Sequence, residues 1–385
     1  MKKEKKPELR QLDYIVDPLI AWFDQNKRSL PWRDEPGPYR VWVSEIMLQQ
    51  TRVEAVKPYF EKFLMELPDV ESLAKASEER LLKLWEGLGY YNRVRNLQKA
   101  AIQVMEEYGG QMPSAYEDLL KLKGIGSYTA GAIASIAFGQ KVPAVDGNVL
   151  RVLSRLTMDD EDISQPAVKK RVEDELLQVM PERAGDFNQA LMELGAIVCV
   201  PNGAPKCEEC PWKEFCQAHL NQREAEFPHK APKQKRKIEK KTLLIIKDGH
   251  KILLHKRLSK GLLAGMYEFP MMDEWADNEA IIEYVRKIGC EPLFIEFVKE
   301  AKHIFSHKEW HMKGYLVRTE PFDFEKKKIP LSQKKDPVRS GRTEMKEVKQ
   351  GFLPENYIMP EYEVVKQQYP VPSAFAAFIP YIEEE

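Results

Sequence analysis

The chain has 385 residues, 43% hydrophobic and 10% aromatic, which supplies apolar material for two cores and excludes a single small disulfide scaffold. Lys and Arg number 59 against 60 Asp and Glu, so bulk charge excludes wholesale attraction to a polyanion; such a partner must be met by a local patch. No run approaches the roughly 18 consecutive apolar residues that span a bilayer, and Met1–Arg10 is charged without a secretory apolar segment, so a cytoplasmic location is expected.

From Gln11 to Leu220 apolar residues recur at three- and four-residue spacing, which predicts a mostly α half. Helices are expected over Tyr39–Leu64, around Ala76–Glu86 and over Asn96–Tyr108, the last stopped by Gly109-Gly110. Ser114 followed by Glu117 fits a capping box opening the next helix. That helix runs into Leu122-Lys123-Gly124-Ile125-Gly126, and another then continues to Phe138, giving a helix, a glycine hairpin and a helix. A further helix is expected from Val149 to Leu156. Between Phe227 and Lys241, two prolines and seven basic residues accompany a single acid, Glu239, which predicts a basic linker. Beyond it Thr242–Ile246, Lys251–His255 and Tyr315–Val317 read as strands and Glu279–Ile288 as a helix, so the C-terminal part is expected to be α+β. Lys326–Lys349 is charged and aperiodic, as in a mobile loop, and no internal repeat is visible.

Four of the five cysteines, Cys199, Cys207, Cys210 and Cys216, fall in one short segment, while Cys290 stands alone. Four thiolates so close together suit a [4Fe-4S] cluster or tetrahedral zinc, and spacing alone does not choose. Gly124 and Gly126 offer backbone N–H groups at a helix N-terminus, where an anion such as a phosphate can approach closely. Glu45 has Val41, Trp42, Leu48 and Gln49 as its helical neighbours, a largely apolar face without Lys or Arg. Desolvation there should raise its pKa, as a general acid at neutral pH requires. Asp146, in Val145-Asp146-Gly147-Asn148-Val149, is equally what a turn or a helix cap demands.

Together these elements resemble the MutY-type adenine DNA glycosylases of the helix-hairpin-helix superfamily. The resemblance runs from Glu8 to Ala225 and is carried by Trp32-Arg33, Trp42–Thr51, Gly87-Leu88-Gly89-Tyr90-Tyr91, Leu122–Ala130, Val145–Val149 and the cysteine loop. It implies that Glu45 protonates the adenine and that Asp146 stabilises or covalently traps the sugar cation, with Tyr128 and Asn148 positioning them. It implies DNA contacts at Gly124 and Gly126, a wedge at Leu88 and Tyr90, opposite-base contacts at Gln50 and Thr51, and an adenine pocket lined by Arg28, Leu30 and Trp32. Trp32 is equally explicable as core.

The resemblance also implies a [4Fe-4S] cluster on the loop 199–216, serving structure and DNA docking. Here Val200–Lys206 places seven residues between the first two cysteines where the family commonly has six, and Lys123 stands where the hairpin often has Pro. The C-terminal domain resembles the MutT-like (Nudix) domain of these enzymes through Gly261–Pro270 and Phe305-Ser306-His307, the latter segment implied to recognise 8-oxoguanine. The acidic segment of a working Nudix box is missing, since Glu283–Lys287 cannot supply it, so no pyrophosphohydrolase is expected. His303, His307 and His311 have a helical metal-ligand spacing in a segment that looks more like strand and loop.

The expected architecture is thus multidomain: an all-α glycosylase domain over 1–226, a linker over 227–241, an α+β Nudix-like domain over 242–369 and a tail over 370–385. Expected partners are duplex DNA carrying adenine opposite 8-oxoguanine or guanine, bound by a monomer at a bacterial-type nucleoid, with no membrane. A pyrimidine glycosylase and lyase of the endonuclease III type is the nearest rival; it carries Lys where this chain has Tyr128, and tyrosine cannot form the required imine. A lesion binder without activity has no need of both Glu45 and Asp146, and a zinc protein would be colourless.

Overall fold

The computed structural model describes residues 13–232, 235–321 and 356–383; the charged stretch 326–349, and Lys233 of the linker, lie outside the described residues. The chain divides into two compact units at Lys233 and Gln234, with Trp85–Gly89 grouped with the second.

The first unit is helical: α1 (Val16–Asn26), α2 (Pro31–Asp34), α3 (Pro38–Leu48), α4 (Val53–Glu66), α5 (Val70–Lys75), α6 (Glu78–Leu84), α7 (Asn92–Glu107), α8 (Tyr116–Leu119), α9 (Ser127–Phe138), α10 (Gly147–Thr157), α11 (Pro166–Leu177), α12 (Ala184–Ile197) and α13 (Gln217–Leu220). The helix expected over Tyr39–Leu64 is therefore two. Periodicity missed the break because the apolar residues Val56, Phe60 and Phe63 resume a regular spacing and no glycine marks Gln49–Arg52. The expected Ser114 box is also absent: α8 starts two residues later with no side-chain cap, and the Ser114 carbonyl accepts from Gln140 Nε2 at 2.7 Å. A capping box does form elsewhere, between Asp69 and Ser72 at the start of α5.

Leu19 and Phe23 of α1, Leu153 and Leu156 of α10, and Phe187 and Leu191 of α12 share one core with Trp212 of the cysteine loop, whose indole N–H donates to the Ile15 carbonyl at 2.8 Å. Helix α9 is buried over Thr129–Ser135 and rich in small residues. A Cβ on Gly131 would stand 2.2 Å from the Pro143 carbonyl oxygen, so only glycine lets the extended segment after α9 lie against it. Asn188, fully buried, pins the same segment: its Oδ1 accepts from Ala144 N at 3.0 Å and its Nδ2 donates to Val142 O and Ser135 Oγ, both at 2.8 Å. The backbone is thereby fixed just ahead of Asp146.

The second unit is α+β. One sheet runs β2 (Lys251–Ile252), β1 (Lys237–Asp248), β7 (Lys308–Thr319), β6 (Pro292–Ile304), with β5 (Met271–Asp273) also on β1; a smaller one runs β4 (Tyr267–Glu268), β3 (Leu254–Lys256), β8 (Tyr357–Ile358). β1 and β7 are parallel and the other pairs antiparallel. The strand expected at Thr242 begins at Lys237, so Lys237, Lys240 and Lys241 belong to the sheet rather than to a linker; Lys237 already pairs with Lys308. Helix α14 (Asn278–Lys287) covers Leu244, Ile246 and Val317 on one face. The stretch expected as a tail packs on the other: Val371, Ala374, Phe375, Phe378 and Ile382 recur at three- and four-residue spacing and join Leu243, Ile245, Trp310 and Met312 in the core. Among the described residues no helix is long and apolar enough to cross a membrane.

Candidate active site

The glycine hairpin forms as the sequence predicts. Gly124 takes φ +81°, where a Cβ would also stand 2.7 Å from Asn96 Cβ, and Gly126 is the N-cap of α9. Lys123 in place of Pro has a use: its backbone N–H donates to Gln103 Oε1 at 2.8 Å, a bond proline cannot make.

Tyr128, in the first turn of α9, reaches the neighbouring α3 and donates its hydroxyl to Glu45 Oε2 at 2.5 Å; Met192 Sδ of α12 lies 3.3 Å from the same hydroxyl. Glu45 is 6% exposed. Burial pushes its carboxyl up to about 7; the Tyr128 hydrogen bond opposes the shift, the Asp146 charge adds to it and Arg33 opposes it. Burial, which the apolar face in the sequence foretells, is thus the main cause.

Asp146 is the N-cap of α10. Its Oδ1 accepts from the backbone N–H groups of Asn148 and Val149, each at 2.8 Å, and its Oδ2 from Asn148 Nδ2 at 2.8 Å. Burial raises its pKa, while these donors and Arg151 oppose the rise. The cap reading and the site reading are both satisfied by one residue. Asn148 Oδ1 in turn accepts from Arg151 Nη2 at 2.8 Å, fixing its amide so that the NH₂ faces Asp146.

Glu45 and Asp146 line one cleft of about 980 Å³, with Arg28, Leu30, Trp32, Gln50, Thr51, Tyr128, Gly126 and Asn148 also on its wall. Trp32 is both wall and core: it is buried and meets Phe60 edge-on at 5.4 Å. Of the remaining residues singled out in the sequence for this region, Tyr90 is 48% exposed with φ +48°, whereas Leu88 is buried. Gly124 is not on the cleft wall.

Sequence reasoning missed the far wall. Glu193 on α12 accepts Arg28 Nε at 2.6 Å and Arg33 Nη2 at 2.9 Å, and Arg33 Nε donates to Gln189 Oε1 at 2.9 Å. Burial opposes ionisation of Glu193, but the two arginines outweigh it and hold its carboxyl below the usual range. The signal was the one that marks Glu45: an acid whose helical neighbours a turn away, Gln189, Ala190, Ala196 and Ile197, are largely apolar and include no basic residue.

The four cysteines line a second cavity together with Val152, Leu156, Leu194, Val198 and Trp212. Arg155 Nη1 donates to Cys199 Sγ at 3.3 Å. Burial pushes the Cys207 and Cys210 thiols up to about 12, with Glu224 adding to the rise at Cys207 and the neighbouring cysteines at both, so a bound cation is what would hold these two as thiolates. That donor set fits a four-thiolate metal centre. Between the first two cysteines, Pro201–Gly203 is exposed and turns through Gly203 at φ +78°, while Lys206 N closes on Val198 O at 3.0 Å. Among the described residues, the one cluster whose ligand atoms already lie within metal-ligating reach of one another is Cys207 with His219 and Glu224, which borders this same cavity.

In the second unit Phe305, Ser306 and His307 form the turn between β6 and β7. Phe305 packs edge-on against Trp310 at 4.9 Å, and Ser306 and His307 are exposed, with Ser306 Oγ 3.3 Å from His307 Nδ1. His303 and His311 sit on the two strands and not on a helix, which removes the geometry their spacing suggested.

Residues 43–179 match the family model of the HhH-GPD superfamily base excision DNA repair proteins, and residues 241–350 that of the NUDIX domain. The adenine DNA glycosylase of Mus musculus is 38% identical over 349 residues, covering 75% of this chain and 67% of that protein. The adenine DNA glycosylase of Buchnera aphidicola subsp. Baizongia pistaciae is 35% identical over 294 residues, covering 75% of this chain and 82% of that protein. Among solved structures, a thermostable thymine-DNA glycosylase is similar over 55% of this chain and 97% of its own, with a TM-score of 0.50 and 29% identity. The helical hairpin domain, the strand-rich second domain and these relatives agree: the chain belongs to the MutY-type adenine DNA glycosylases, the DNA N-glycosylases that excise adenine in base excision repair.

Proposed function

We propose that this enzyme removes adenine paired with 8-oxoguanine or guanine in duplex DNA, acting as a monomer on a nucleotide flipped out of the helix, and hydrolyses the glycosidic bond without cutting the strand. The observation that carries the reading is the pair of unlike carboxyls in one cleft, Glu45 buried and protonatable near neutrality and Asp146 held as an acceptor by three N–H donors. Loss of a base from deoxyribose passes through an oxocarbenium-like state, which asks for an acid at the leaving group and a negative charge at the sugar. Glu45 gives its proton to a ring nitrogen of adenine, the C1′–N bond breaks with its electron pair going to the base, and Asp146 faces the cation at C1′. Water then adds at C1′ and returns a proton to Glu45. Tyr128 keeps the Glu45 carboxyl in place, and Asn148 does the same for Asp146. Arg28, Leu30 and Trp32 line the pocket for the base, which duplex DNA can deliver only by flipping.

The hairpin N–H groups at Gly124 and Gly126 suit a backbone phosphate. Gln50, Thr51, Leu88 and Tyr90 are assigned to the base left behind and to the gap in the stack, and Ser306 and His307, with Phe305 beneath, to the oxidised guanine. Cys199, Cys207, Cys210 and Cys216 would hold a [4Fe-4S] cluster, which supplies a rigid cross-link for the DNA-docking loop. Single-turnover base release from duplexes carrying A opposite 8-oxoguanine, A opposite G, and thymine glycol opposite A tests the reading. Release is expected in the first two, fastest in the first; release of thymine glycol with strand cleavage would overturn it.

A further inference from the structure

Gln50, on the cleft wall, holds left-handed backbone at φ +60°, and so does Tyr90 at φ +48°. Such a conformation costs of order 1 kcal/mol for an ordinary side chain and persists only where the surroundings enforce it. Both residues are exposed, so burial of their own side chains does not enforce it. Gln50 lies in the turn between α3 and α4, and Tyr90 just ahead of α7.

One side chain touches both segments. Arg93, in the first turn of α7, donates through Nη1 to the carbonyls of Ile46 at 2.8 Å, Met47 at 2.9 Å and Gln49 at 2.6 Å. Its Nη2 donates to Thr51 Oγ1 at 3.3 Å, its guanidinium lies 5.6 Å from the Tyr90 ring centroid, and its backbone N–H donates to Tyr90 O at 2.8 Å. The last carbonyls of α3, which a glycine-ended helix satisfies with its own backbone, are here taken by another helix's arginine. Burial lowers the guanidinium to about 10, so it stays charged at neutral pH.

We propose that Arg93 is a positioning residue for reading the base opposite the target adenine: it locks Gln50, Thr51 and Tyr90 together in the strained geometry that meets the orphaned base, and takes no part in bond breaking. The inference rests on the assignment of Gln50, Thr51 and Tyr90 given above. Glu45 is held independently by Tyr128, so partner reading and chemistry are separable. Lysine presents its donors from a single point and cannot span three carbonyls, a hydroxyl and a ring; methionine keeps the apolar stem and donates nothing.

The test uses the full chain as wild type, Arg93→Lys, Arg93→Met and the double variant Arg93→Met with Gln50→Asn. Binding to duplexes with a non-hydrolysable adenine nucleotide opposite 8-oxoguanine or G, single-turnover release of adenine opposite each, and Tm are measured. In Arg93→Met the preference for 8-oxoguanine is expected to fall about tenfold or more, with the rate at saturating enzyme on A opposite G kept within about threefold. Arg93→Lys should fall between. Gln50→Asn should recover part of the loss, because asparagine keeps the amide and tolerates left-handed backbone. A preference within about twofold of wild type, or equal losses on both duplexes that follow a lowered Tm with no recovery by Gln50→Asn, overturns the proposal. A wild type without any preference would show instead that the substrate reading is wrong, and the proposal falls with it.

Discussion

Tyr128 donates its hydroxyl to Glu45, and the same Glu45 carboxyl feels the charge of Asp146 across the cleft. Burial, with the charges of Glu45 and Asp146 adding to it, holds the tyrosine's own pKa well above the ordinary value, so it remains a donor throughout the working range. A fixed donor opposite one oxygen leaves the other oxygen of Glu45 to carry the transferable proton.

Glu45→Gln should abolish adenine release while leaving lesion binding nearly intact, because the amide keeps the shape and lacks the acid. In wild type the acid is present below about 7 and lost above it, so the single-turnover rate should fall as pH rises through that value. Stability has the same sign: the folded carboxyl binds its proton more tightly than the unfolded one at 4.5, so its contribution is full below 4.5 and is lost as pH rises to about 7. At pH 8 Glu45→Gln should therefore be the more stable protein, by up to roughly 3 kcal/mol. Normal turnover by this variant would remove Glu45 from the acid role.

Asp146→Asn isolates charge from capping, since asparagine caps a helix about as well as aspartate. Unfolding by urea should be almost unchanged, while base release should slow by roughly two to three decades, as loss of one oriented electrostatic stabiliser does. A rate change below about tenfold would reassign Asp146 to its cap.

Protein purified without added metal should be yellow-brown and contain about four irons per chain. Cys210→Ser should bleach the colour and lower Tm, since Cys210 packs against the core shared by α1, α10 and Trp212. One equivalent of zinc with no visible absorption would replace the cluster by a zinc centre.

Ser306→Ala combined with His307→Ala should reduce excision of A opposite 8-oxoguanine far more than A opposite G. The catalytic carboxyls are untouched, and two lost donor contacts are worth roughly tenfold to a hundredfold in preference. Phe305, wedged against Trp310, keeps the turn in shape, so Tm should hold. An equal drop on both duplexes would move lesion recognition away from this turn.

By itself the sequence determined the elements whose causes are local. The glycine hairpin follows from backbone freedom at Gly124, the cap of α10 from the short side chain of Asp146, the α+β second domain from apolar alternation, and the direction of the Glu45 shift from the apolar neighbours that foretell its burial. The tertiary structure decided whatever depends on a partner distant in the chain. It ended α3 at Leu48 through Arg93, turned Lys237–Lys241 from linker into strand through β7, drew the 370–383 stretch into the sheet core, and paired Arg28 and Arg33 with Glu193. For 370–383 the apolar spacing is visible in the sequence and only the sheet face it packs on is not; in the other cases a backbone or charged group finds its hydrogen bonds dozens to hundreds of residues away. Such a need leaves no trace in local periodicity, because satisfying it is a property of packed neighbours and not of sequence neighbours.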